Sequence, residues 1–125
     1  MIAINGFGRI GRTFLRTVLS HTGRQLPISC INGGGADPIR LAHLFKYDST
    51  MGSWPEEVFF ADDFLHVGSQ KIRFISQMNP LACPWQALGI EWVVEASGAF
   101  TSRTGAHKHL TAGARRVLIS AHSGD

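Results

Sequence analysis

A glycine-rich stretch near the amino terminus reads Ile4-Asn5-Gly6-Phe7-Gly8-Arg9-Ile10-Gly11-Arg12 in a chain of 125 residues. Its three glycines have Gly-x-Gly-x-x-Gly spacing. They separate an apolar run, residues 1–4, from a segment in which apolar residues recur every three or four positions. This order predicts a β-strand, a tight turn and an α-helix over residues 9–19.

Each glycine of this turn has a separate physical role in binding a dinucleotide. Gly6 permits the tight turn, Gly8 lets the backbone approach a pyrophosphate, and Gly11 lets the helix pack against the sheet. Free N–H groups at the helix N-terminus attract phosphate, and Arg9 and Arg12 add positive charge. The stretch therefore predicts a pyrophosphate site, with a ligand-free strand-to-helix turn as the alternative.

The next segments continue the alternation of strand and helix. Thr22-Gly23 predicts the end of the first helix, and the apolar run 28–31 predicts a second strand. Asp37-Pro38 predicts a second helix, with aspartate as the cap and proline at the first helical position. The buried stripe of that helix is predicted to contain Ile39, Leu41, Leu44 and Phe45.

Within residues 48–76, apolar runs stand on both sides of Gly68-Ser69. This pattern predicts an antiparallel excursion from the parallel sheet, that is, a hairpin closed at Gly68-Ser69. A short helix or turn is expected from Asn79-Pro80 to Gly89. A strand is then expected within 91–96, a helix capped by Ser102 and reaching Ala112, and a last strand over 116–120.

Apolar strands separated by helices pair in parallel through right-handed crossovers. We therefore expect one α/β domain over residues 1–125. Its sheet is predicted to be Rossmann-type, doubly wound and mainly parallel, with an antiparallel hairpin excursion at about 48–76.

The composition disfavours several classes of protein. A net charge of +3 without a run of Lys or Arg does not resemble a nucleic-acid-binding surface. No apolar stretch has the length of a membrane span, and no signal peptide is recognisable. Cys30 and Cys83 are far apart and outside any metal-ligand spacing, so we expect no zinc site, no disulfide framework and a cytoplasmic location.

The second strand departs from the usual dinucleotide pattern. A carboxylate normally stands at its end, about 20 residues after the glycines, and accepts hydrogen bonds from the adenosine ribose. Gly33 occupies that place here. In one interpretation, the chain can bind NADP, because no carboxylate repels the 2′-phosphate and the N–H groups of Gly33, Gly34 and Gly35 could form an anion nest near Arg40. In the other, the chain has simply lost one contact to NAD, which weakens NAD binding.

Four stretches in sequence order resemble the phosphorylating glyceraldehyde-3-phosphate dehydrogenases and the related erythrose-4-phosphate dehydrogenases. They are the glycine stretch 4–12, His43-Leu44-Phe45-Lys46-Tyr47-Asp48-Ser49, Val93-Val94-Glu95-Ala96-Ser97-Gly98-Ala99-Phe100-Thr101, and Gly113-Ala114-Arg115-Arg116-Val117-Leu118-Ile119-Ser120-Ala121. Together they extend over nearly the whole chain. The resemblance implies the dinucleotide-binding domain of an oxidoreductase of glycolytic type that uses NAD or NADP.

The resemblance also implies which residues contact the cofactor. The backbone of Arg9 and Ile10 would lie against the pyrophosphate, residues 96–98 with Phe100 would border the adenosine, and Ser120 would face the nicotinamide. Met78 stands where the family has an arginine, and His122 where it has a proline. The complete set of candidate cofactor-binding residues is Gly6, Phe7, Gly8, Arg9, Ile10, Asn32, Gly33, Met78, Ala96, Ser97, Gly98, Phe100 and Ser120.

The family's catalytic groups are not in this chain. Its cysteine nucleophile lies in a Ser-x-Cys-Thr-Thr-Asn motif, activated by a later histidine, and neither motif occurs here. Cys30 and Cys83 are expected to be small packing residues. We therefore name no catalytic residue and no metal ligand, and we expect the chain alone to be inactive.

Other chemically suggestive residues have structural interpretations. His107 and His109 point in different directions on a helix, so we expect solvent-facing side chains and no joint metal site. Trp85 and Trp92 are expected to pack in the core. Glu95 is expected to hydrogen-bond beside the cofactor and not to act as a base.

Two functions from different classes follow. The first is an NAD(P)-binding domain of a phosphorylated-aldehyde dehydrogenase, which docks to a catalytic domain or self-associates. The alternative is a degenerate or free-standing interaction module with weak or no cofactor binding, suggested by Gly33 and Met78.

Overall fold

The apolar run at the amino terminus forms an interior strand of a mainly parallel sheet. The computed structural model describes residues 1–20, 26–100 and 102–120. Its strands are β1 Ile2–Asn5, β2 Ile28–Asn32, β3 Tyr47–Asp48, β4 Gly52–Ser53, β5 Val58–Ala61, β6 Phe64–Val67, β7 Gln70–Ile75, β8 Trp92–Glu95 and β9 Arg116–Ile119. Its helices are α1 Arg9–Ser20, α2 Pro38–Lys46 and α3 Arg103–Thr111, with a 3₁₀ turn over Pro80–Ala82.

The main sheet of the described residues has seven strands in the order β5-β6-β7-β2-β1-β8-β9. The pairs β1–β2, β1–β8, β2–β7 and β8–β9 are parallel, whereas β5–β6 and β6–β7 are antiparallel. Because α-helical crossovers connect parallel strands, this topology confirms the expected Rossmann-type α/β class.

The antiparallel segment contains more strands and turns than the sequence predicted. Val67 pairs with Gln70, which confirms the hairpin at Gly68-Ser69. A second reversal, at Asp62 and Asp63, was not expected; both residues have positive φ. β7 also pairs in parallel with β2, so the antiparallel strands β5 and β6 extend the main sheet through β7. β3 and β4 form a separate antiparallel ribbon.

Asp37 and Ser102 cap the N-termini of α2 and α3, as predicted. Asp37 accepts a hydrogen bond from the N–H of Ile39, and Ser102 accepts one from Gly105 at 3.0 Å. The buried stripe of α2 contains Leu41 and Phe45, but Ile39 is 67% exposed. Ile39 was therefore wrongly assigned to the core, because it lies in the first helical turn on the solvent side. Thr22-Gly23 lies outside the described residues.

Both faces of the sheet are covered, which explains the apolar strands. On one face, Ile4 and Ile31 pack with Leu15 of α1 and with Leu41 and Phe45 of α2. On the other face, a second cluster contains Ala3, Cys30, Cys83, Trp85, Ile90, Val93 and Ala114. Burial on both faces leaves the carboxyl ends of the strands as the open edge for a ligand.

Candidate cofactor-binding site

The glycine turn lies at the carboxyl ends of three adjacent strands. The N–H of Gly6 donates to the carbonyl of Asn32, and the N–H of Ala96 donates to the carbonyl of Asn5, both at 2.8 Å. Gly6 has φ +99°, and a Cβ there would lie 2.5 Å from the Cα of Ser97. Only glycine therefore allows β1 to turn this tightly against the loop that follows β8.

The other two glycines of the turn have opposite surroundings. A Cβ on Gly11 would collide with the carbonyl oxygen of Gly6, so α1 packs directly on the turn. A Cβ on Gly8 would meet no atom within 4 Å. The first helical hydrogen bond runs from Arg12 to the Gly8 carbonyl, which leaves the N–H groups before Arg12 without acceptors in the helix. The turn thus presents donors to an open space.

A cleft of about 260 Å³ lies beside this turn. It is lined by Asn5, Gly6, Asn32, Gly33, Gly34, Gly35, Gln77, Met78, Ser97, Ala99 and Phe100. None of these lining residues is charged. The cleft therefore suits a neutral, partly apolar group.

The structure places six of the candidate residues in the lining of the cleft: Gly6, Asn32, Gly33, Met78, Ser97 and Phe100. The other candidates are outside it: Phe7, Gly8, Arg9, Ile10, Ala96, Gly98 and Ser120. Of these, Gly8, Arg9 and Ile10 are exposed at the start of α1, which is the place that a pyrophosphate contact needs.

Three of the outlying candidates make contacts within the chain or are buried. The ring of Phe7 is 2% exposed and stacks on Phe45 at 5.9 Å, so only its backbone faces the turn. Ala96 is buried. The hydroxyl of Ser120 donates to the carbonyl of Glu95 at 2.8 Å, which joins the ends of β8 and β9. Ala121 and His122 lie outside the described residues.

Sequence reasoning missed three lining residues, Asn5, Gln77 and Ala99, and considered two others, Gly34 and Gly35, only as part of an anion nest. Adjacency to the named candidates was the available signal, since Asn5 precedes Gly6 and Gln77 precedes Met78. The position of Gln77 depends on the parallel pairing of β7 with β2, which the sequence pattern did not indicate.

A buried polar network lies under the cleft and joins three strand ends. The Asn32 amide donates to the Asn5 side-chain oxygen, and the Asn5 amide donates to Glu95 Oε1, both at 2.7 Å. His109 Nε2 also lies 2.7 Å from Glu95 Oε1. Trp85 Nε1 donates to His109 Nδ1 at 3.0 Å, so the imidazole proton lies on Nε2 and is donated to Glu95.

This network corrects one expectation and supports another. His109 has no solvent exposure, so its predicted solvent-facing position is wrong; it lies on the side of α3 that covers the sheet. Glu95 has the predicted hydrogen-bonding role, since its other oxygen accepts the N–H and hydroxyl of Ser97. Burial opposes ionisation, but the bonds from His109, Ser97 and Asn5 hold the pKa of Glu95 below its ordinary value.

Asn32 fixes the loop that was expected to form an anion nest. Its side-chain oxygen accepts the N–H groups of Gly34 at 3.1 Å and Gln77 at 2.9 Å. The N–H of Gly33 donates to the carbonyl of Ile75 at 2.9 Å. Two of the three expected donors are therefore already engaged, so a three-donor nest at Gly33, Gly34 and Gly35 is wrong for this arrangement.

The tryptophans and cysteines divide between core and surface. Trp85 is fully buried, as expected, but Trp92 is 40% exposed under the guanidinium of Arg116. Its assignment to the core was wrong, because its position in β8 faces outward at the strand's start. Cys30 and Cys83 are buried packing residues, and burial raises their thiol pKa values to about 12 and about 11.

Larger grooves, of about 690, 610 and 330 Å³, lie away from the glycine turn. The first lies beside Gln86, Glu91 and Arg115, and the second lies between α2 and β5. Within the described ranges, no cluster of three or more His, Cys, Asp or Glu side chains could hold a metal. No helix of that same part of the chain could cross a bilayer.

A mainly parallel sheet, a glycine turn at its carboxyl edge and a helix N-terminus facing open space define a Rossmann-type α/β domain. Comparison with known proteins gives the family. The family described as "Glyceraldehyde 3-phosphate dehydrogenase, NAD binding domain" matches residues 1–103, and the chain belongs to this family.

The chain is similar to glyceraldehyde-3-phosphate dehydrogenases from distant organisms. It is 47% identical to that of Chlamydia pneumoniae over 122 residues, which are 96% of this chain and 35% of the relative. It is 43% identical to the chloroplastic enzyme of Gracilaria gracilis, covering 96% and 29%, and 40% identical to that of Debaryomyces hansenii, covering 99% and 36%. The chain thus spans about a third of the length of these relatives.

Proposed function

We propose that this chain binds NAD or NADP at the carboxyl edge of its sheet, as the cofactor-binding part of a dehydrogenase that acts on a phosphorylated aldehyde. The observation that carries the proposal is the open space beside Gly8 at the start of α1, where the N–H groups before Arg12 have no acceptor within the helix. Such an N-terminus attracts the pyrophosphate through both its donors and its dipole.

The remaining candidate residues fit the two ends of a dinucleotide. Asn32, Gly33 and Met78 border the adenosine, together with Ser97 and Phe100. The backbone of Arg9 and Ile10 holds the pyrophosphate, with Gly98 nearby, and Ser120 lies toward the nicotinamide. The bound cofactor would supply a hydride acceptor. The chain's own residues bind and orient it, and no residue here serves as the catalytic nucleophile.

Calorimetric titration with NAD⁺, NADH and NADP⁺ tests binding. We expect heat with at least one dinucleotide, and a Gly8→Val variant should weaken that binding by about tenfold or more, because its side chain would occupy the pyrophosphate space. Gly8→Val should still fold, since nothing lies within 4 Å of the new Cβ. Thr13→Val, on the exposed side of α1, is the matched control and should bind as the unchanged chain does.

No binding heat and no thermal stabilisation at millimolar dinucleotide would contradict the proposal. That result would favour the interaction module without a cofactor.

We also propose that the chain docks to a catalytic domain or self-associates. Light scattering of the chain over a range of concentrations checks the self-association. Monomeric behaviour throughout would count against self-association.

A further inference from the structure

The end of β2 has neither of the groups that usually distinguish a 2′-hydroxyl from a 2′-phosphate on the adenosine ribose. An acidic residue there selects the free hydroxyls of NAD, whereas arginine or a nest of N–H groups accepts the phosphate of NADP. Gly33 provides no carboxylate, and no charged side chain lines the cleft. The cause lies in the packing beneath Gly33.

The space for a side chain at position 33 is already filled. A Cβ on Gly33 would overlap Cζ of Phe74, and it would lie 2.7 Å from Cε1 of the same ring and 3.2 Å from Cδ1 of Leu41. The φ of Gly33 lies outside the left-handed region, so the backbone itself would accept another residue. The obstacle is therefore the phenylalanine ring.

Phe74 cannot move aside at low cost. It is 5% exposed and lies in β7, the strand that pairs in parallel with β2. Its ring contacts that of Phe60 edge-on, with 5.6 Å between centroids and 73° between planes. Both rings and Leu41 belong to the same packed cluster, so a displaced ring would open the core.

The loop above the ring does not replace the missing charge. The N–H groups of Gly33 and Gly34 are bound to Ile75 and Asn32. Met78 is 74% exposed, and its sulfur lies 3.0 Å from the position of a Cβ on Gly35. An uncharged thioether therefore borders the place that a 2′-phosphate or a 2′-hydroxyl would reach.

We propose that Phe74 is a specificity-determining residue: by excluding any side chain at position 33, it makes the adenosine end of the cleft indifferent to the 2′ substituent, so that the chain accepts NAD and NADP alike. This inference rests on the proposed function. Phe74 acts through the residue that it excludes and does not itself touch the ribose.

Four chains test the inference: the unchanged chain, Gly33→Asp, Phe74→Val, and the double variant. The unchanged chain and Phe74→Val should bind NAD⁺ and NADP⁺ within about tenfold of each other. Gly33→Asp alone should unfold at lower urea than the double variant, although Phe74→Val alone also lowers the midpoint. The double variant should prefer NAD⁺ by about tenfold or more, because the new carboxylate repels the 2′-phosphate.

The outcomes separate the two proposals. If the unchanged chain binds neither dinucleotide, the proposed function fails, and the cofactor specificity assigned to Phe74 fails with it. If the unchanged chain binds but already prefers one dinucleotide by far more than tenfold, only this inference fails. The inference is equally overturned if Gly33→Asp is as stable as the unchanged chain, or if the folded double variant shows no preference.

Discussion

Glu95 is a carboxylate without solvent exposure that accepts four hydrogen bonds. Its Oε1 receives donors from Asn5 and His109, and its Oε2 receives the N–H and hydroxyl of Ser97. A buried charge is tolerated when donors saturate it, and here the donors come from the ends of β1 and β8 and from α3. Glu95 therefore stabilises the strand ends and the loop beneath the cleft.

Replacing Glu95 with glutamine should destabilise the chain by about 2 kcal/mol, because an amide group would face the N–H of Ser97 and leave one donor unpaired. Urea unfolding at neutral pH measures this loss. Glu91→Gln is the control, since the side chain of Glu91 is 59% exposed and contacts only the terminal amine among the described bonds. Equal stability of both variants would contradict the assigned role.

The same substitution should change the dependence of stability on pH. The folded chain holds the pKa of Glu95 below its ordinary value, so its contribution is present above the unfolded pKa and is lost as pH falls through the folded pKa. The difference in unfolding free energy between the unchanged chain and Glu95→Gln should therefore shrink toward acidic pH. A difference that grows on acidification would reverse the sign of the argument.

At the scale of elements, Arg16 joins α1 to the end of α2 and to the β3–β4 ribbon. It is 4% exposed, and its guanidinium donates to the carbonyls of Phe45, Lys46 and Gly52. The rings of Phe45 and Trp54 lie 5.5 and 5.6 Å from its central carbon. A single cation thus satisfies carbonyls where one helix ends and a short ribbon begins.

Arg16→Met should lower the free energy of unfolding by about 3 kcal/mol, because the carbonyls of Phe45 and Gly52 lose the guanidinium donor in a poorly hydrated place, whereas the Lys46 carbonyl keeps the N–H of Trp54. Arg16→Lys should be intermediate, since lysine keeps the charge but lacks the planar fork. Chemical denaturation checks both, with Arg40→Met on the exposed side of α2 as the control. A loss no greater than that of the control would show that the contacts contribute little.

For the whole molecule, the strand order makes β1 an interior strand of the described sheet, beside the middle strand β2. It pairs with β2 on one side and β8 on the other, and both of its faces are covered. β5 and β9 are the edges, and β3 and β4 pair only with each other in the described part of the chain. Local stability should follow this order, because edge strands open without disturbing the core.

Hydrogen exchange followed by mass spectrometry should therefore show the slowest exchange in β1, β2 and β8. The β3–β4 ribbon and the edge strand β5 should exchange faster. Comparable protection throughout would mean that the chain opens only by global unfolding. Fast exchange in β1 would contradict the topology itself.

Much of the fold could be predicted because its signals are local. The turn of Gly6, Gly8 and Gly11, and the caps Asp37 and Ser102, depend on backbone conformation within a few residues. Six of the predicted cofactor residues line the cleft because strand ends in a parallel sheet share one edge. The reversal at Asp62 and Asp63 escaped detection because neither residue is the glycine that such a φ usually requires.

The sequence by itself determined the alternation of the parallel strands with the helices, the glycine turn and the family, since periodicity and short motifs encode these. Only the tertiary structure decided that His109 is buried on Glu95, that Trp92 faces outward, and that Phe74 fills the space beside Gly33. Those facts depend on which distant residues meet across the sheet. Spacing along the chain predicts which face of a helix or strand a residue occupies. The close packing of elements that are distant in sequence decides which side chains it contacts, and those contacts decide its hydrogen bonds and its exposure.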